Sequence, residues 1–304
     1  MAAENQMRWL PAAALERLAR VEFAARGAVD GFTAGRHRSV RKGASSEFAE
    51  HRAYQPGDDL RKLDWKLVAR RQRLFVREFV DETNLRATIA LDCSGSMSYR
   101  GEQAVGGLDK FDYARHLAGC LAYLLVRQQD GAGLVTFDTK VRKHLPAKAS
   151  PAQVRQVLEL VDGAKCGGET EVAAVLHEVA ERIPRRGVVF VVSDLFCDAD
   201  ELLKALHHFR FRHHEVVLLQ VLAEEERVFP FEQMLEFQDA ETGERLHVDA
   251  SAVRREYLAR FEAWLEKVRR GAGEMSIAHE ILSTATPFDE ALADVLVRYR
   301  QKGS

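Results

Sequence analysis

Apolar runs of strand length alternate along most of the chain with stretches whose apolar residues recur at helical spacing. LFVREFV and ATIALD read as strands, and KFDYARHLAGCLAYLLVRQQ as a helix. Then come strands DGAGLVTFD and TKVRKHLP, helices SPAQVRQVLELVDGA and TEVAAVLHEVAERI, strand GVVFVVSDL, helix DADELLKALHHFRF and strand EVVLLQVL. Three of these strands are almost wholly apolar, which is the pattern of strands covered by helices on both faces. MLEFQDAETGERLHV predicts a hairpin with its turn at Glu241 to Glu244. A long helix from Ser251 to about Arg270, a break at GAGE, the strand SIAHEIL and the helix PFDEALADVLVRYR complete the series. The fold class that follows is α/β, with a doubly wound, mostly parallel sheet claiming everything from about residue 84 to 304 and a hairpin insertion at about 228–250.

Two segments precede that domain. Residues 1–35 hold an amphipathic helix from Pro11 to about Arg26, with Gly27 as its stop. Residues 36–83 have another texture: from Arg36 to Arg77 there are twelve Lys/Arg against five Asp/Glu. The chain as a whole is 46% hydrophobic and 30% charged with a net charge of -2, so neither disorder nor a general polyanion binder is indicated. No apolar run has the length of a membrane span, and the first residues lack a signal peptide's basic start and apolar core, which predicts a cytoplasmic protein without a transmembrane segment. Cys93, Cys120, Cys166 and Cys197 are scattered without metal-ligand spacing and read as ordinary thiols.

The chemistry concentrates at DCSGS, directly after the apolar strand ATIAL. Ligands in an open parallel sheet sit at the C-terminal ends of strands. Asp92, Ser94 and Ser96 place three hard oxygen donors on one short loop, a set that suits Mg2+. Two other loops can complete it: GGETEV with Thr170 just before a helix, and VVFVVSDL with Asp194 at a strand end. The alternative is that Ser94 and Ser96 cap a helix while Asp92 anchors a turn. The set of DxSxS, a Thr on a second loop and an Asp on a third resembles the metal-ion-dependent adhesion site of the von Willebrand factor A fold. That resemblance implies that Ser94, Ser96 and Thr170 bind the metal directly or nearly so, with Asp92 and Asp194 acting largely through water. Glu169, beside Thr170, competes for its role.

The basic stretch adds a second resemblance. EFAEHRAYQPGDDLRKLDWKLVARRQRLFVREF is similar to the signature of the bacterial domain-of-unknown-function family 58, through Phe48, Arg52, Tyr54, Pro56, Gly57, Asp58, Asp59, Arg61, Asp64, Trp65, Ala69 and Arg70. QPGDD reads as a turn, with Pro56 fixing φ and Gly57 free to take positive φ. The acids Asp58, Asp59 and Asp64 lie close in sequence to Arg61, Arg70 and Arg71, as in an ion-pair network, with Trp65 as an anchor. A catalytic carboxylate pair is the sharper alternative, but no acid/base partner is evident. The basic residues are interleaved with acids and core-type residues, so a partner surface or structural role is favoured over nucleic acid, and no nucleic-acid partner is expected.

Other chemistries are poorly served. HHFRFRHH, with His207, His208, His213 and His214, ends a helix, where basic groups meet the carbonyl dipole, and lacks further metal ligands. There is no GxxxxGK[ST] loop and no GxSxG. The two resemblances imply a non-enzymatic binding module: a metal at DxSxS, Mg2+ or else Mn2+ or Ca2+, whose open position takes an Asp or Glu from a protein partner. They also imply the kind of partner, a MoxR-type AAA+ ATPase or its client, in a chaperone-like system for metal insertion. The alternative function is a Mg2+-dependent hydrolase or phosphoesterase at the same site, with Asp194, Glu169 or an acid of the PGDD segment as base.

Overall fold

The structure is a computed structural model, and it describes residues 8–17, 47–53, 74–80, 85–168, 171–184 and 186–302. The chain divides into two compact units, one of residues 36–84 and one of residues 1–35 with 85–304. In the smaller unit, β1 (Glu47–Ala53) and β2 (Phe75–Val80) form an antiparallel pair, with Ala53 opposite Phe75 and a register shift between Phe48 and Glu50. Tyr54, Pro56, Gly57, Asp58, Asp59, Arg61, Asp64, Trp65, Ala69 and Arg70 lie outside the described residues, and Phe48 and Arg52 are described only as strand positions in β1.

The larger unit is built on a six-stranded sheet. Its strands are β3 (Arg86–Asp92), β4 (Gly131–Phe137), β5 (Val141–Lys148), β6 (Gly187–Ser193), β7 (His214–Leu222) and β10 (Ala278–Ser283). They lie in the order β10-β7-β6-β3-β4-β5, all parallel to their neighbours except β5, which turns back antiparallel on β4. The doubly wound, mostly parallel sheet expected from the apolar runs is therefore the observed one. From β3 the chain first builds outward through β4 and β5, then crosses to β6 on the other side of β3. Such a reversal opens a crevice at the C-terminal ends of the strands where it occurs.

Helices cover both faces. On one lie α1 (Lys110–Arg127), α2 (Pro151–Asp162) and α7 (Phe288–Lys302); on the other lie α3 (Val172–Arg182), α4 (Ala199–Phe211) and α6 (Ala250–Glu274). The strands alternate their side chains between the two cores, Ile89 and Leu91 entering one and Ala90 the other. Trp9, Leu10 and Ala14, the last within a helical stretch at 12–17, are buried against α1 in the first core. The rest of the expected opening helix lies outside the described residues. Gly119 of α1 is required by this packing, because a Cβ there would come within 2.7 Å of the Trp9 carbonyl oxygen.

Two elements differ from the pattern reading. GAGE does not break α6, which continues to Glu274: Gly271 packs so closely on Leu203 that a Cβ would lie 2.5 Å from it, so that glycine serves contact and not termination. Between β7 and the hairpin there is also a short helix, α5 (Glu224–Val228). The hairpin itself is present, as β8 (Met234–Gln238) and β9 (Arg245–Asp249), with its turn closed by Gly243 N–H donating to Asp239 O at 2.9 Å.

Candidate functional site

The crevice at the ends of β3 and β6 gathers four of the residues singled out from the sequence, Asp92, Ser94, Ser96 and Asp194. Asp92, the last residue of β3, is fully buried. Its Oδ1 accepts from the Ser94 N–H at 2.8 Å, and its Oδ2 accepts from the Ser193 hydroxyl, at the end of β6, at 2.6 Å. Burial and then the neighbouring charge of Asp194 push its pKa up to about 7, against the lowering effect of the Ser193 and Ser94 hydrogen bonds. The carboxylate thus pins the loop from beneath.

Ser94 and Ser96 stand above it with hydroxyl oxygens 3.0 Å apart. Ser94 precedes a 3-10 turn at Gly95–Ser98 but makes no capping hydrogen bond to it. The alternative role of Ser94 as a cap is therefore not the one its hydroxyl takes, while Asp92 does anchor a turn through the Ser94 amide. The 3.0 Å contact is a hydrogen bond between the two hydroxyls, and it is also the spacing of adjacent ligand oxygens about 2.1 Å from an octahedral ion.

The second loop is laced to the first. Gly95 N–H donates to Gly168 O at 2.9 Å, Gly167 N–H to Cys93 O at 3.0 Å, and the Cys166 thiol to Ser94 O at 2.7 Å. Asp138, just past β4, is ion-paired with Arg142, whose guanidinium also donates to Gly167 O at 3.2 Å. Glu169 and Thr170 lie outside the described residues. From the opposite side, the hairpin turn closes on Gly95, where a Cβ would fall 2.5 Å from Ala240 O and 3.1 Å from Gly168 O. Only glycine fits between these two backbones.

Asp194, the fourth candidate, is buried one residue past β6, and its surroundings were not legible beforehand. Its Oδ2 accepts from Lys110 Nζ at 2.8 Å and its Oδ1 from the Phe196 N–H at 3.3 Å. Lys110 is the first residue of α1, and its Nζ also donates to Glu226 Oε1 in α5 at 2.6 Å. Burial opposes the ammonium charge, but the carboxylates of Asp194 and Glu226 outweigh it and raise the Lys110 pKa; burial likewise raises that of Glu226. A third layer supports the loop: Gln220 of β7 donates to Asp194 O at 2.8 Å, while its Oε1 lies 2.8 Å from His279 Nε2. A buried glutamine inside VVLLQVL was a signal available in the sequence; Lys110 and Glu226 carried none, because only the folded chain brings them together.

The His-rich end of α4 is elsewhere. His208 Nε2 lies 2.9 Å from Glu181 Oε1, its Nδ1 lies 3.0 Å from His177 Nδ1, and His214 is buried in β7. No helix among the described residues is long and apolar enough to cross a membrane.

Among known proteins, the chain is similar to Uncharacterized protein Rv1480 of Mycobacterium tuberculosis, with 27% identity over 235 residues, covering 76% of this chain and 71% of that protein. Among solved structures it is similar to the conserved hypothetical protein BatB from Bacteroides thetaiotaomicron, at 14% identity and TM-score 0.42, over 71% of this chain and 98% of that one. The SpRpn10 VWA domain is similar at 11% identity and TM-score 0.38, over 68% of this chain and 94% of that one. The family model of the proteins of unknown function DUF58 matches residues 50–265, and the chain belongs to that family.

Proposed function

We propose that this protein is a metal-ion-dependent protein-interaction module. Ser94 and Ser96 are its hydroxyl ligands, Asp92 lies behind them, and Thr170 and Asp194 contribute from the neighbouring loops. Mg2+ is the ion these oxygen donors suit, with Mn2+ or Ca2+ as alternatives. One observation carries the reading: the two serine hydroxyls, 3.0 Å apart, stand above a buried and doubly hydrogen-bonded aspartate where the sheet reverses its strand order. The bound ion supplies an open coordination position for a partner's Asp or Glu.

The surroundings favour binding over bond cleavage. Tyr99 and Phe196 present half-exposed rings beside the crevice, the kind of aromatic surface that anchors protein contacts. Lys110 donates to Asp194 and Ser193 to Asp92, contacts that favour these carboxylates as shapers of the site over general bases.

The partner class follows from the family resemblance: a MoxR-type AAA+ ATPase or its client, met in the cytoplasm, with this chain as the adaptor in a chaperone-like system. No nucleic acid is involved. The test is association of the purified chain with a MoxR-type ATPase by biolayer interferometry. Binding in Mg2+ that is lost in EDTA and in Ser96→Ala supports the reading; binding indifferent to both overturns it.

A further inference from the structure

Lys110 is placed where a lysine is least expected. Its side chain is 0% exposed, and it occupies the first position of α1, the end at which the helix dipole disfavours a cation. The chain is folded back to bring it there: after the DCSGS loop and two short 3-10 turns, the Lys110 N–H donates to Tyr99 O at 3.0 Å. Its ammonium then lies 2.8 Å from Asp194 Oδ2, 2.6 Å from Glu226 Oε1 and 4.9 Å from the Phe196 ring centroid. Buried ion pairs of this kind are weak sources of stability, and their best attested value lies in specificity and switching.

Two carboxylates, Asp194 and Glu226, share the single ammonium. Asp194 is the one that Lys110 shares with the metal site proposed above, and its Oδ2 is already taken.

We infer that Lys110 is a resident counter-cation, which keeps the rim folded without metal and competes with a divalent ion for Asp194. The inference rests on the metal-site reading. Its consequence is regulatory. With Asp194 held by Lys110, the serine loop alone binds an ion weakly, and the missing negative charge is supplied by the partner's carboxylate. Metal and partner then strengthen each other's binding, as linkage requires.

The test is Mn2+ calorimetry on the full chain, comparing wild type with Lys110→Met and with Lys110→Met/Glu226→Gln. The double variant removes one charge of each sign, so the site keeps its net charge while Asp194 is released. The inference expects it to bind Mn2+ about tenfold or more tightly than wild type, the equivalent of one charge-assisted contact. It also expects Mn2+ to raise the Tm of Lys110→Met by more than it raises that of wild type, or to restore its folding if the single variant is unfolded alone. Wild-type binding with equal or weaker binding in the double variant overturns the role of Lys110 and leaves the metal site standing. A Lys110→Met chain that Mn2+ neither stabilises nor refolds overturns it too. Absence of Mn2+ binding in all three chains overturns both readings together.

Discussion

The Ser193 hydroxyl donates to Asp92 Oδ2 at 2.6 Å, joining the ends of two adjacent parallel strands, and accepts in turn from the Leu195 N–H at 2.9 Å. Removing it leaves a buried carboxylate oxygen and a buried amide each without that partner. Ser193→Ala is expected to cost about 1–3 kcal/mol in urea unfolding. Ser96→Ala, on the partly exposed side of the loop, is expected to cost less than about 1 kcal/mol. Equal losses would show that Ser193 does not brace the crevice.

The glycines give a sharper contrast. Gly95→Ala drives a Cβ into the Ala240 and Gly168 carbonyl oxygens, and backbone cannot swing aside as a side chain does. We expect a loss of about 1–3 kcal/mol, with faster hydrogen exchange confined to residues 239–243 and to the loop at 164–168. Gly273→Ala, in α6 with nothing within 4 Å of the new methyl, is expected to raise stability by roughly 0.5–1 kcal/mol. Unchanged exchange at the hairpin turn in Gly95→Ala would contradict the close approach of the two loops.

Two partly buried groups should tilt the pH profile in opposite directions. Burial, with a smaller effect from Arg269, pushes the pKa of His279 down to about 4. As pH falls below about 6.5 the unfolded chain takes that proton first, so stability is lost between about 6.5 and 4, by roughly 2–3 kcal/mol. His279→Gln should flatten this acid limb in urea midpoints measured across pH. Glu215 is pushed up to about 7 by burial, against Arg210. Its folded state takes the proton first, so it adds stability as pH falls from about 7 to 4.5. Glu215→Gln should therefore exceed wild type most at pH 8 and lose that advantage towards pH 4.5. A profile of Glu215→Gln parallel to that of wild type would refute the assignment.

Most of the sheet was legible because its signal is local and repeated. Apolar runs such as GVVFVVS and HEVVLLQVL can be satisfied only between two helical layers, and both lie there in full. DCSGS was legible for the same reason, since its place after ATIAL put Asp92 at a strand end. What failed was punctuation: GAGE looked like a stop, yet Leu203 needs the space that Gly271 leaves, and helix packing overrode glycine's weak propensity. The Lys110, Asp194 and Glu226 cluster was not legible at all, because its members are 84 and 116 residues apart in the chain and only the closed crevice gives them a common point.

The central claim, that the serine pair over Asp92 holds a divalent ion, is tested most directly by titrating Mn2+ into wild type and Ser94→Ala by calorimetry, with circular dichroism to show that both are folded. The account predicts one saturable site in wild type that is lost in Ser94→Ala. Identical isotherms in the two folded proteins, whether both bind or neither does, would contradict it.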